Sequence, residues 1–205
     1  MFGLIVEEMK SKYFTNFKEV FDMLGEEAHK HNWLLSGYEC NSYPSERIPF
    51  AEPFVWLSGD ELLMILEKHE FQFIWCVATA YTKETAFEEV MRYPIPFADG
   101  YEGFWTPCIS MQNPLSVLEI VSWDSTFLLI ISKSEEIIER FAHEYPASTD
   151  LVEYNRVGLN DSLGKALSAD DDGWVKSISL FIEKYDLKEY VDSTLYKAMK
   201  TKTLC

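Results

Sequence analysis

The stretch SGDELLMILEKHEFQFIWCVATAY, Ser58 to Tyr81, changes its period once and sharply. Its first half sets Leu62, Leu63, Ile65 and Leu66 on one helical face, and Ser58 with Glu61 three residues later is a capping box. Its second half is rich in β-branched and aromatic residues, which predicts a central strand. A chain that passes directly from a capped helix into such a strand belongs to a mixed α and β class.

The flanking segments extend the same alternation. FGLIVEE reads as a first strand, and NFKEVFDMLGEEAHKHN places Phe17, Val20, Phe21, Leu24 and Ala28 at helical spacing. WLLSGYEC reads as a strand that the prolines of NSYPSERIP interrupt, and KETAFEEVM as a short acidic helix. SVLEIVSW and TFLLIIS are two strands, and WDST between them predicts a tight hairpin with Asp124 and Ser125 as turn formers. SKSEEIIERFAHEYP is a helix with a second capping box at Ser132 and Glu135. Its apolar stripe is Ile137, Ile138, Phe141, Ala142 and Tyr145, Glu136 can pair with Arg140, and Pro146 ends it. From Ser148 onward no strand pattern returns: TDLVEYNRVGLNDSLGKALS, WVKSISLFIEKY and LKEYVDSTLYKAMK all read as helices. The expected fold is therefore α+β, with a mixed or mostly antiparallel sheet of about five strands packed with helices. Residues 1–148 form this domain, and 149–205 form a helical C-terminal extension packed on it.

Charge narrows the function. The 205 residues carry a net charge of −16, yet 47% are hydrophobic, enough for a sizeable core. Residues 1–148 hold 24 acids against 10 bases, while 149–205 hold 10 against 8. This sign is the wrong one for phosphate contacts and for anionic membranes, so neither nucleic acid nor membrane is expected as a partner. Apolar runs such as FLLII are far too short to span a bilayer, and Glu7 and Glu8 interrupt any signal-like start. The expected compartment is the cytoplasm. There the widely spaced Cys40, Cys76, Cys108 and Cys205 stay reduced, and Cys76 serves as a small buried hydrophobe.

The motifs that carry common chemistries are missing. There is no G-x-G-x-x-G, P-loop, H-E-x-x-H or G-x-S-x-G. SADDDGW, Ser168 to Trp174, fails as a calcium loop: counting from Asp170, the sixth residue is Val175 rather than glycine and the twelfth is Phe181 rather than glutamate. It reads instead as a turn whose aspartates cap the following helix. His29 and His31 lie two apart with no third ligand fixed by spacing, and His69 and His143 sit near helix C-termini. No cofactor, no metal site and no catalytic residue is assigned. Among so many acids a carboxylate pair carries no specificity.

The segment between two probable strands is more informative. Glu84, Glu88, Glu89, Asp99 and Glu102 are interleaved there with Phe87, Tyr93, Phe97, Tyr101, Phe104 and Trp105. Aromatic anchors inside a charged rim are what a protein interface uses. The expected partner-binding residues are Glu84, Glu88, Glu89, Asp99, Tyr101, Glu102, Phe104 and Trp105, unless the aromatics fold inward and cap the sheet.

The succession WLLSGYEC, VWLSGDELLMILEKHEFQFIWCVATAY and SWDSTFLLIISKSEEIIERFAHEYPASTDLVEY resembles a family of small bacterial proteins of bacilli that has no assigned activity. The resemblance covers residues 30–82 and 115–154. More loosely, small acidic α+β proteins resemble immunity proteins that neutralise bacterial toxins. Such toxins include basic nucleases, whose nucleic-acid site an acidic protein can occupy. The expectation is thus a soluble, non-enzymatic protein-binding module with a basic partner, such as a toxin-neutralising immunity protein. The alternative is a small-ligand protein or enzyme with a pocket lined by some of Trp33, Trp56, Trp75, Trp105 and Trp123. A third reading gives the acidity no role beyond solubility.

Overall fold

The structure is a computed structural model and describes residues 1–9, 15–43 and 53–203. In chain order the elements are β1 (Phe2–Val6), α1 (Phe17–Leu24), α2 (Glu26–His29), β2 (His31–Tyr43), β3 (Phe54–Ser58), α3 (Gly59–Lys68), β4 (Glu70–Thr82), α4 (Phe87–Val90), β5 (Leu118–Trp123), β6 (Phe127–Ser132), α5 (Glu135–Glu144), β7 (Thr149–Asp150), α6 (Leu151–Ser168), α7 (Asp172–Lys184) and α8 (Ser193–Thr203). Short 3-10 turns lie at Glu102–Trp105 and Lys188–Tyr190. Among the described residues no helix is long and apolar enough to cross a membrane.

The fold is α+β, with one open sheet in the order β3-β2-β4-β5-β6-β1-β7. All neighbouring pairs among β1 to β6 are antiparallel. Among the described residues the sheet has seven strands rather than about five. β3 is FVWLS, an unalternating apolar run whose residues 54 to 58 pair with β2 along the sheet edge. Pro53 precedes it, as suits an edge strand. β7 has two residues and leaves no periodic trace, so the expectation of no strand after Ser148 is corrected. The prolines of NSYPSERIP lie outside the described residues.

Local signals explain the remaining boundaries. The first helical pattern is broken in two because Gly25 adopts φ +54° and ends α1. Ser58 and Glu61 form the expected capping box on α3. The second capping box does not form: α5 starts after Ser134, and the Ser132 hydroxyl accepts the Ser134 N–H at 2.9 Å instead. Arg140 does pair with Glu136, at 3.4 Å. In the hairpin, Asp124 and Ser125 both take positive φ, and the Thr126 N–H donates to the Trp123 carbonyl at 2.9 Å.

The chain forms two compact units. One comprises Met1–Tyr101 and Ser110–Thr149 and contains the sheet. The other comprises Glu102–Ile109 and Asp150–Cys205 and is helical. In the sheet unit, Phe17, Phe21, Leu24, Leu62, Leu66 and Phe141 of α1, α3 and α5 pack on Trp33, Leu35, Ala78, Ala80, Ile120 and Ile130. Residues of the opposite register, Leu34, Thr79, Tyr81, Glu119 and Val121, are also buried. Part of their cover comes from the segment between β4 and β5, through Val90 and Leu115. The helical unit has its own core, built around Leu163, Ala166, Val175, Ile182, Leu187 and Met199.

Candidate protein-binding surface

The segment between β4 and β5 is seated on the sheet by a small set of polar contacts. The Ser36 hydroxyl donates to the Pro96 carbonyl at 2.7 Å. Gln112 grips Phe97 at both ends: its Oε1 accepts the Phe97 N–H at 3.1 Å, and its Nε2 donates to the Phe97 carbonyl at 2.9 Å. Gly37 sits at a bulge of β2 with φ +55°, and a Cβ there would lie 3.2 Å from the Phe97 Cα. Only glycine provides both that backbone conformation and that close approach. The Gln112 N–H in turn donates at 2.8 Å to the carboxylate of Glu119.

Glu119 is fully buried. Burial pushes its carboxyl up to about 7, against the backbone N–H groups of Gln112 and Asn113, which favour the charged form. Its Oε2, the Thr79 hydroxyl and the Tyr81 hydroxyl have no hydrogen-bond partner among the described residues. Thr79 stands directly opposite Glu119 in the ladder. Burial, followed by the Glu119 charge, raises the Tyr81 phenol far above its ordinary value. Sequence reasoning missed this group; its only signal was one acid inside the apolar run SVLEIVSW.

Above that seat the segment presents apolar side chains to solvent. Tyr93 is 39% exposed, Ile95 36% and Phe97 47%. The Phe97 and Tyr101 rings meet edge to face at 5.5 Å. Glu84, Glu88, Glu89 and Asp99 are exposed, and among the described residues none forms an ion pair. Five of the eight sequence-derived partner residues, Glu84, Glu88, Glu89, Asp99 and Tyr101, thus belong to the sheet unit.

The other three belong to the helical unit. Glu102 pairs with Lys184 at 2.7 Å and accepts from the Tyr185 hydroxyl at 3.2 Å. Phe104 is fully buried. The Trp105 ring lies 6.5 Å from that of Tyr154. Asn155 clamps this stretch by donating to the carbonyls of Phe104 and Thr106, at 2.8 and 2.9 Å.

Four of the five tryptophans named for the pocket alternative, Trp33, Trp56, Trp75 and Trp123, belong to the sheet unit, and Trp105 to the helical unit. Trp33 is a core residue whose indole N–H donates to the Ala28 carbonyl. Trp56 packs on Tyr81 and Phe87, and Trp75 meets Trp123 at 5.0 Å. SADDDGW is a turn: Asp170 takes φ +55°, and Asp171 caps α7 by accepting the Trp174 N–H at 2.9 Å. Lys202 bridges Asp170 and Asp172. His29 contacts Asp60 at 2.6 Å, and His31 contacts the Glu27 carbonyl. Among the described residues no three His, Cys, Asp or Glu side chains gather to hold a metal ion. No family model, curated protein or solved structure matches the chain.

Proposed function

We propose that this protein is a non-enzymatic binding module for a basic protein, and that the segment from Glu84 to Tyr101 is its docking surface. The observation that carries this reading is that exposed Tyr93, Ile95 and Phe97 share one pinned stretch with Glu84, Glu88, Glu89 and Asp99, which are exposed and form no ion pair among the described residues. Apolar anchors supply buried contact area, and rim carboxylates steer an oppositely charged partner. The seat formed by Ser36, Gly37 and Gln112 holds the stretch in place, so little ordering entropy is lost on binding. A toxin-neutralising immunity protein fits this description, because a basic nuclease presents a surface built for phosphates.

The test is a pull-down of the tagged full chain, washed at low and at high salt. A basic protein that salt releases is expected. Reversing Glu84, Glu88, Glu89 and Asp99 to lysine should then weaken its binding at least about tenfold at low salt. Glu102→Lys serves as the control, since Glu102 belongs to the helical unit and is already paired with Lys184. A partner whose affinity ignores the fourfold reversal would remove the docking surface from this segment.

A further inference from the structure

Gln112 and Asn113 are neighbours in the chain, and they hold the two ends of the exposed apolar stretch. The Asn113 Nδ2 donates to the Val90 carbonyl at 3.3 Å, and the Gln112 side chain grips both backbone groups of Phe97. Between those ends run Tyr93, Pro94, Ile95 and Pro96. The two prolines favour an extended run and offer no N–H, so the run leans on its end fixings and on the Ser36 bond at Pro96. Asn113 is fully buried and is itself locked: its Oδ1 accepts the Leu115 N–H at 3.0 Å, and its carbonyl accepts the Ser116 hydroxyl at 2.6 Å. The anchor of this node on the sheet is Glu119 of β5, whose Oε1 accepts the Gln112 N–H at 2.8 Å.

That anchor is a carboxyl group without a countercharge. Thr79 on β4 and Ile131 on β6 stand beside it across the ladder, and neither carries charge. Tyr81 on β4 is its titratable neighbour, and burial keeps that phenol protonated. Lys133, just after β6, donates to the Pro114 carbonyl at 3.2 Å, and among the described residues no ion pair includes Glu119. From the covering segment it meets the backbone N–H groups of Gln112 and Asn113. A neutral Glu119 still offers Oε1 to the Gln112 N–H and carries no buried charge. An ionised Glu119 needs hydration at Oε2, which has no partner among the described residues. Water reaches that oxygen where the cover lifts, and part of the cover is the segment itself. Ionisation falls at about 7, within reach of ordinary changes in pH.

We infer that Glu119 is a proton-controlled latch: while neutral it holds the Gln112–Asn113 node, and with it the stretch from Val90 to Phe97, and its ionisation releases them. That the released stretch is a docking surface rests on the function proposed above; the latch itself does not, and its test needs no partner. The test is hydrogen exchange of the full chain, followed amide by amide by NMR at pH 5 and pH 8 and corrected for intrinsic base catalysis. Protection of the Phe97 and Gln112 amides should fall at least about tenfold between the two. At both pH values it should lie at least about tenfold below that of the β1–β6 ladder, because the stretch opens while the sheet stays closed. Glu119→Gln keeps an acceptor for the Gln112 N–H and cannot ionise, so its fall should shrink to less than about threefold. Should that variant not fold, Gln112→Met carries the test. It should strip protection from the Phe97 amide at both pH values, while the amide of residue 112, bonded to Glu119 through the backbone, keeps its pH response. Four results would each overturn the latch: no fall in the parent, an equal fall in Glu119→Gln, a protected Phe97 amide in Gln112→Met, or equal protection of stretch and ladder, which marks global unfolding.

Discussion

Glu119 is the residue whose chemistry is most out of place. A carboxyl group on a buried strand loses its hydration and recovers only part of it from two backbone N–H groups. The folded protein therefore prefers the protonated acid, with a value of about 7 against an ordinary 4.5. The sign follows from linkage. Between those two values the folded state binds more protons than the unfolded state, so stability falls as pH rises through the interval. The full stabilisation is present below the ordinary value, and it is gone above about 7. At 1.36 kcal/mol per pH unit the swing is on the order of 3 kcal/mol. Glu119→Gln should remove most of this slope. Urea midpoints measured at pH 5 and pH 8 should differ clearly in the parent chain and much less in the variant. Equal pH dependence in both would place the titration elsewhere. The sequence displays Glu119 inside an apolar run but hides its burial, because part of that face is covered by the segment between β4 and β5 rather than by a patterned helix.

At the scale of elements, caps separate what local pattern decides from what the sheet decides. Ser58 and Glu61 bond reciprocally at the start of α3: the Ser58 hydroxyl accepts the Glu61 N–H, and the Glu61 carboxylate accepts the Ser58 N–H at 2.8 Å. The same motif was legible at Ser132 and Glu135, yet the chain ignores it. Ser132 is the last residue of β6 and is paired opposite both Phe2 and Leu118, so the ladder holds it in the strand. Ser134 becomes the cap residue, with no side-chain bond to the helix. Ser58→Ala should therefore cost about 1 kcal/mol, and Ser134→Ala should stay within about 0.5 kcal/mol of the parent. Urea midpoints of the two variants check this, and comparable losses would contradict the cap assignment. The same competition explains the other boundaries. Gly25 splits a continuous helical pattern because its positive φ ends α1, and β3 needed the partner strand β2 to be recognised as a strand.

Over the whole molecule, the division into two units is interleaved in sequence rather than serial. Residues 102–109 leave the sheet unit and belong to the helical one, and the chain then returns at Ser110. The charge follows the units: the sheet unit holds 23 acids and 10 bases, and the helical unit 11 and 8. The helical character after Ser148 was readable from its 3.6-residue period. The excursion was not, because Phe104 and Thr106 are held by Asn155, some fifty positions later, and no local period encodes that contact. This has a consequence for dissection. A chain cut after Thr149 keeps Phe104, Trp105 and Ile109 but loses α6 and the Asn155 clamp. Phe104 is fully buried in the intact protein, and burying such a ring is worth about 2–3 kcal/mol. Residues 1–149 alone should therefore expose an apolar stretch, bind a hydrophobic dye and self-associate. The same fragment with residues 102–109 replaced by a Gly-Ser linker of equal length should be monomeric and keep the sheet signature in circular dichroism. Size-exclusion chromatography of the two fragments decides the matter. If the unmodified fragment runs as a well-folded monomer, residues 102–109 do not depend on the helical unit for their cover. If the linker version also aggregates, the exposed surface lies on the sheet unit itself.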